Sequence, residues 1–312
     1  MTNNDPLTLV VRDQQRWSLS ANGLKASIGR ARRTVLLLAI AGAVLETWGA
    51  QIHSTRISLA LVLGYAGAGA LAVAAVIRQW RLGHERIQAW IVARSGAESF
   101  KREMYLFRTG SGPYASGNPA DSLLDRREEI LSKLQPFQKY RVEPNSESEP
   151  LSLLDANGYL QERINGPRGQ IQFFKDRANQ YSRTQHLLSG GEFVLALIGA
   201  LLGAALTITG KQAYGAWVAV ITTVSGALAA HAMAQRYDQL TVSYRATTDR
   251  LEGMVARWSA KNGARLADLV EPCEATLLEE NQGWIAGADQ TAVQTPGTVG
   301  PSPGAVTDKA SK

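Results

Sequence analysis

Four histidines, one cysteine and one glycine-rich stretch are the first places in this chain to look for chemistry. His53, His84, His186 and His231 are scattered, with no pair at metal-ligand spacing. HERIQ (84–88) opens like a zinc-protease helix but lacks the second histidine that would complete the metal grip. Cys273 is the only cysteine, which excludes an intramolecular disulfide framework and argues against a cysteine-based zinc site. No G-x-S-x-G, no Walker loop and no close carboxylate pair beyond helix-surface neighbours such as Glu128 and Glu129 occurs. GYAGAGALA (64–72) does fit G-x-G-x-x-A at Gly67, Gly69 and Ala72. That motif cradles pyrophosphate only between a strand and a helix, and here it lies inside an unbroken apolar run. The expectation is a protein that is not an enzyme, with no catalytic residue, no cofactor and no metal.

The apolar run itself is the stronger signal. Residues 57–77 carry no charge and are long enough, at about 1.5 Å per residue, to cross a hydrocarbon core of roughly 30 Å. AYGAWVAVITTVSGALAAHAMA (213–234) is a second such run, and 34–50 and 193–209 are shorter ones of seventeen residues. Ala60, Gly64, Ala68 and Ala72 recur every four residues, a spacing that predicts a small-residue face for a neighbouring helix. A short span can cross when paired with a neighbour, so four spans are expected. Arg32 and Arg33 before the first run mimic a twin-arginine signal, but over thirty residues precede it and a second span follows at once. Ionisable groups inside spans mark function by default, and only Glu46 and His231 qualify. Both lie near span ends, where they can reach the interface. Thr223, Ala227 and His231 share one helical face, which makes Glu46, Thr223 and His231 the candidate pore or interface residues; packing against a neighbour is the plainer role for that face.

Lysine and arginine counts orient the spans. Arg12, Arg16, Lys25, Arg30, Arg32 and Arg33 precede the first, and Arg78, Arg81 and Arg86 follow the second, whereas the turn between carries Arg56 alone. Lys175, Arg177 and Arg183 flank the second hairpin on one side and Arg236, Arg245 and Arg250 on the other, with Lys211 in its turn. Basic residues stay inside, so both hairpins are expected to enter and leave from the cytoplasm, with both termini on that side of the cell's inner (plasma) membrane. The net charge of +6 suits anionic lipid as a partner, and no nucleic-acid partner is expected.

Both halves follow one plan of basic approach, short span, tight turn, long span and exit helix. The expected fold is an all-α integral membrane protein of two duplicated hairpins whose long helices extend into a cytosolic bundle. Residues 1–108 form the first unit (spans about 34–50 and 57–77), 109–157 a linker with a short helix, and 158–286 the second unit (spans about 193–209 and 213–234). Residues 287–312, with three prolines and no apolar pattern, read as a disordered tail. Trp90, Ala93, Ala97, Phe100, Met104 and Phe107 alternate steps of three and four, as do Tyr237, Leu240, Tyr244, Thr247, Leu251, Met254 and Trp258. Ile171, Phe174, Ala178, Tyr181 and Leu188 offer a facing surface. Neither exit stretch contains proline, which predicts that each span runs straight on, residues 57–108 as one rod of about 78 Å. PADSLLDRREEILSKLQPF reads as a short surface helix capped near Asn118 and stopped at Pro136, and NGPRG (165–169) interrupts the second approach.

Trp90, Arg94 and Glu98, spaced W-x3-R-x3-E and followed by Tyr105, resemble the extended-helix motif of the SLATT domains, two-transmembrane effectors associated with nucleotide-second-messenger synthases and nucleotide-sensing domains in bacterial conflict systems. LAIAGAVLETWG (38–49) and GYLQERINGPRGQIQFFKDRA (158–178) are similar to the entry segments of tandem members, over roughly residues 15–260. The resemblance implies a membrane effector that forms a pore or perturbs the bilayer when a cytosolic nucleotide-sensing or nucleotide-synthase partner is triggered. It brings no catalytic residues. The plain role for Trp90, Arg94 and Glu98 is an interfacial aromatic and a surface ion pair. Four helices enclose no useful channel, so a pore requires a homo-oligomer. A membrane-anchored scaffold recruiting cytosolic partners is the alternative, and a transporter ranks below both, because no span is broken by proline.

Overall fold

The computed structural model describes residues 5–53, 55–145, 151–261 and 263–293, and every regular element among them is helical. Helix α1 (Pro6–Ile52) is one unbroken rod of 47 residues, about 70 Å long. Pro6 opens it where no backbone donor is needed. It carries the polar approach and the first apolar run together. Helix α6 (Gln170–Thr209) repeats this with 40 residues and ends on Gly210, which takes the left-handed cap that glycine favours. Helices α2 (Ile57–Arg81) and α7 (Gln212–Gln235) return through the apolar layer. All four meet the length and hydropathy of a membrane span.

The exits are not straight. Residues 57–108 form two helices, because Leu82 and Gly83 leave helical geometry before α3 (His84–Arg108) begins. Glycine propagates a helix poorly, and at a single joint that is enough to stop one. The second exit breaks at Arg236, whose φ of 52° is left-handed, between α7 and α8 (Tyr237–Ser259). No glycine or proline signals that joint, and the arginine bears a left-handed cost of about 1–2 kcal/mol.

After each joint the exit helix packs back along the polar part of its own entry helix, α3 on α1 and α8 on α6. The two halves therefore share one plan. Helix α4 (Pro119–Leu134) starts with the Asn118 side chain accepting the Ala120 N–H at 3.2 Å and passes into a 3-10 turn at Gln135. It is more than a surface helix: Leu123 and Leu134 are fully buried. NGPRG does interrupt the chain. The short α5 (Ala156–Tyr159) widens into a π turn over Leu160–Ile164, and the loop folds so tightly that a Cβ on Gly166 would sit 1.8 Å from the Gln161 carbonyl oxygen. Helix α9 (Ala267–Val293) then lies against both α3 and α8. It corrects the expected tail, since 287–293 are helical; residues 294–312 lie outside the described residues, as do 146–150 of the PNSESEP segment.

One core joins the halves. Trp17 of α1, Phe100 of α3, Tyr159, Phe174 of α6, Leu251 of α8 and Val270 of α9 are buried in a single cluster. The aromatic seams fall where their spacing placed them: Ala93, Ala97, Phe100, Met104, Tyr244 and Leu251 point inward, with Trp90, Leu240, Met254 and Trp258 packed around them.

Candidate functional site

The apolar layer comes first. Its main contacts run α2–α1–α7–α6, a row of neighbours. Within the first hairpin, glycines set the spacing: a Cβ on Gly67 would meet Gly42 O at 3.0 Å and Glu46 Cγ at 2.6 Å, and one on Gly42 would meet Leu71 Cγ at 2.7 Å. The buried face of α2 is Ala60, Gly67 and Ala74, whereas Ala68 and Ala72 of the expected stripe are exposed. A strict four-residue step drifts by about 40° per repeat against a 3.6-residue turn, so it leaves the contact face within two steps. The second hairpin is looser. Gly203 and Gly226 have nothing within 4 Å of an added Cβ.

Large apolar side chains cover the outer faces. Leu37, Val62, Tyr65, Phe193, Leu201 and Ile208 are exposed, Ile208 at 83%, and no residue in the apolar window of α6 is buried. A water-soluble monomer does not carry so continuous an apolar surface. Of the three residues singled out in the spans, Glu46 is exposed with its stem against Gly67, and Thr223 is exposed with its hydroxyl donating to its own helix at Ala219 O, 2.9 Å. His231 is half-buried, within electrostatic reach of Arg32 and Arg33 on α1. Glu46 lies fourteen residues beyond Arg32, about 21 Å along the rod. One chain therefore does not bring Glu46 and His231 together.

The polar bundle holds the other four residues, and there the structure does build a site. Tyr105 donates to Glu162 Oε1 at 3.1 Å, and Arg108 grips the same carboxylate with Nη1 and Nη2 while its Nε donates to Ser152 O at 2.7 Å. The Arg108 hydrogen bonds hold the Glu162 carboxyl below its ordinary pKa. The Arg163 guanidinium lies 4.8 Å over the Tyr105 ring, a cation–π distance. It also donates twice to Glu274 of α9, at 2.8 and 2.9 Å, and Tyr159 donates to Glu274 at 3.0 Å. Tyr105 thus ties the first unit's exit helix to the π turn and to α9. Burial pushes its phenol up to about 12, so it stays a donor.

Arg94 and Glu98 line a cavity of about 250 Å³ between α1, α3, the start of α6 and α9. Lys101, Arg168, Glu280 and Asn281 line it too, and burial pushes the Glu280 carboxyl up to about 7. Trp90 packs half-buried at the core's edge. No local motif singles out Lys101, Arg163, Glu274, Glu280 or Asn281 in the sequence. Leu269, Val270, Cys273 and Leu277, spaced for one helical face, were the available signal for α9. Among the described residues no group of three metal-ligating side chains converges.

Residues 159–284 match the family model described as SMODS and SLOG-associating 2TM effector domain 1, and residues 15–122 match the model of a protein of unknown function, DUF4231. Neither the curated proteins nor the solved structures yield a match.

Proposed function

We propose that this chain, which carries a SLATT two-transmembrane effector domain over residues 159–284 joined to a DUF4231 domain over 15–122, is an oligomeric effector that opens or perturbs the membrane of a bacterial cell in a conflict system. The observation that supports this reading is the open row α2–α1–α7–α6, apolar on its outer faces and with no residue in the apolar window of α6 buried. A row of four helices encloses nothing by itself. Copies side by side close into a ring, and the open glycines of α6 and α7 allow the close approach such packing needs. The two units are the hairpins α1–α2 and α6–α7, each with its returning exit helix, and α4 lies in the segment between. The trigger acts through the polar bundle, and a protein with a SMODS or SLOG domain is the expected partner. No bond is made or broken in this action, so the chain works without catalytic groups or a cofactor.

Basic residues on the approach and exit sides support an orientation with the polar bundle and both termini in the cytoplasm and the connections after Ile52 and Thr209 outside. Cys273 is buried, so His53→Cys supplies a labelling site in an otherwise silent background. An impermeant maleimide labels H53C in intact cells if the orientation is right, and only after lysis if it is reversed. For the activity, the full chain is reconstituted into dye-loaded liposomes with and without its SMODS- or SLOG-bearing neighbour. Dye release by an oligomer supports the pore. A monomer that leaves the vesicles sealed with that partner bound overturns it in favour of a membrane-anchored scaffold.

A further inference from the structure

We propose that the polar cavity between α1, α3, α6 and α9 binds a small phosphate ester, with Arg94, Lys101 and Arg168 on the phosphate and the amide of Asn281 on an adjoining hydroxyl. Asn281 is only 4% exposed, and neither its Oδ1 nor its Nδ2 has a hydrogen-bond partner, although the side chain lines the cavity. An unmet polar group at such a depth costs about 1–3 kcal/mol, and an amide carries both a donor and an acceptor to satisfy. Around it stand three cations and two carboxylates, Glu98 and Glu280. Glu280 is partly neutralised near neutral pH, and Lys25 lies within electrostatic reach of both Arg94 and Arg177. The cavity is therefore positive on balance.

Guanidinium forks match phosphate oxygens in geometry, and a lysine adds a point charge. The Nδ2 of Asn281 can donate to a phosphate oxygen, but its Oδ1 needs a donor. Sulfate has none, and the single P–OH of hydrogen phosphate sits on the group that the cations hold. A sugar phosphate supplies both, and its size suits about 250 Å³. Lipid headgroups are out of reach, since Asn22 at the cavity wall lies twelve residues before Thr34 and the first span, about 18 Å along α1. The site is divided between the halves, with Arg94, Glu98 and Lys101 from the first and Arg168, Glu280 and Asn281 from the second. An occupant would bridge them.

The test uses the full chain in detergent micelles, with the thermal midpoint and calorimetric titration as readouts, and with ribose 5-phosphate, inorganic phosphate, ribose and sulfate as probes at matched ionic strength. Ribose 5-phosphate is expected to raise the midpoint saturably and to bind about tenfold tighter than inorganic phosphate, one good hydrogen bond's difference. Ribose and sulfate leave it unmoved. Asn281→Leu and Arg168→Gln each lower ribose 5-phosphate affinity about tenfold or more. N281L also raises the midpoint without any probe, because it removes the unmet amide; that gain shows the variant is folded. Equal responses to sulfate and the phosphates indicate screening and overturn the proposal. So does inorganic phosphate binding as tightly as the ester, or N281L retaining full affinity, either of which leaves the amide to water. The readouts involve no flux, so the site stands or falls apart from the pore.

Discussion

Arg163 and Glu274 are 3% and 1% exposed and face each other through two parallel hydrogen bonds, at 2.8 and 2.9 Å, across the junction of the π turn and α9. Burial works against the Arg163 charge, yet the Glu274 carboxylate outweighs it and the guanidinium's pKa is raised. Removing one partner strands the other in a low-dielectric interior. Glu274→Gln or Arg163→Met is expected to destabilise by about 3–5 kcal/mol, and the double change to apolar residues by much less. Denaturant unfolding of the detergent-solubilised chain, followed by tryptophan fluorescence, checks this. Equal losses in the single and double variants contradict it.

The first hairpin predicts a sharp contrast between two glycines two residues apart, on opposite faces of α2. Gly67→Val drives a side chain against the Gly42 carbonyl and should cost about 1–3 kcal/mol, because backbone there has nowhere to move. Gly69→Val meets nothing within 4 Å and should change the melting midpoint little.

The second hairpin predicts the opposite dissociation of stability from activity. Gly203→Leu and Gly226→Leu project into open space in one chain, so the melting midpoint of the monomer holds. If copies pack through these faces, size-exclusion and cross-linking will show fewer oligomers, and dye release will fall with them. Unchanged oligomers and unchanged release would direct attention to the outer face of α2.

Glu280 gives a pH signature. Its carboxyl rises from an ordinary 4.5 to about 7, through burial, with Glu98 adding to the rise and Arg94 opposing it. Between those values the folded chain holds a proton that the unfolded chain has released. This contribution to stability is therefore complete below pH 4.5 and lost as pH climbs through 7, with no further change above. Other carboxylates act in the reverse sense, Glu162 beside Arg108 among them. The measurement is accordingly the difference between the native chain and Glu280→Gln. The variant should gain relative stability from pH 4.5 to 7 and keep it at higher pH.

Much of the architecture was legible because membranes impose simple rules. Twenty-one uncharged residues at 57–77 had no other home, and the three-and-four spacing through Phe100 and Leu251 marked core faces. The joints were harder. Gly83 offered a weak cue, and nothing about Arg236 distinguishes it from an arginine inside a helix, since its left-handed turn is imposed by the packing of α8 on α6. The cavity was illegible for another reason. Arg94 and Asn281 are separated by 187 positions, and only the docking of α9 on α3 brings them to one wall. Local periodicity reports which face of a helix is buried, never which distant helix covers it.

The two joints have a mechanical consequence. Helices α1 and α6 pass from the polar bundle into the apolar layer without a break, whereas α2 and α7 are each coupled to it through an elbow, at Gly83 and Arg236. Elbows absorb torque and rods deliver it. A twist or shift of the bundle thus enters the bilayer along the middle pair's α1 and the outer α6, while the hinged spans are left free to swing aside.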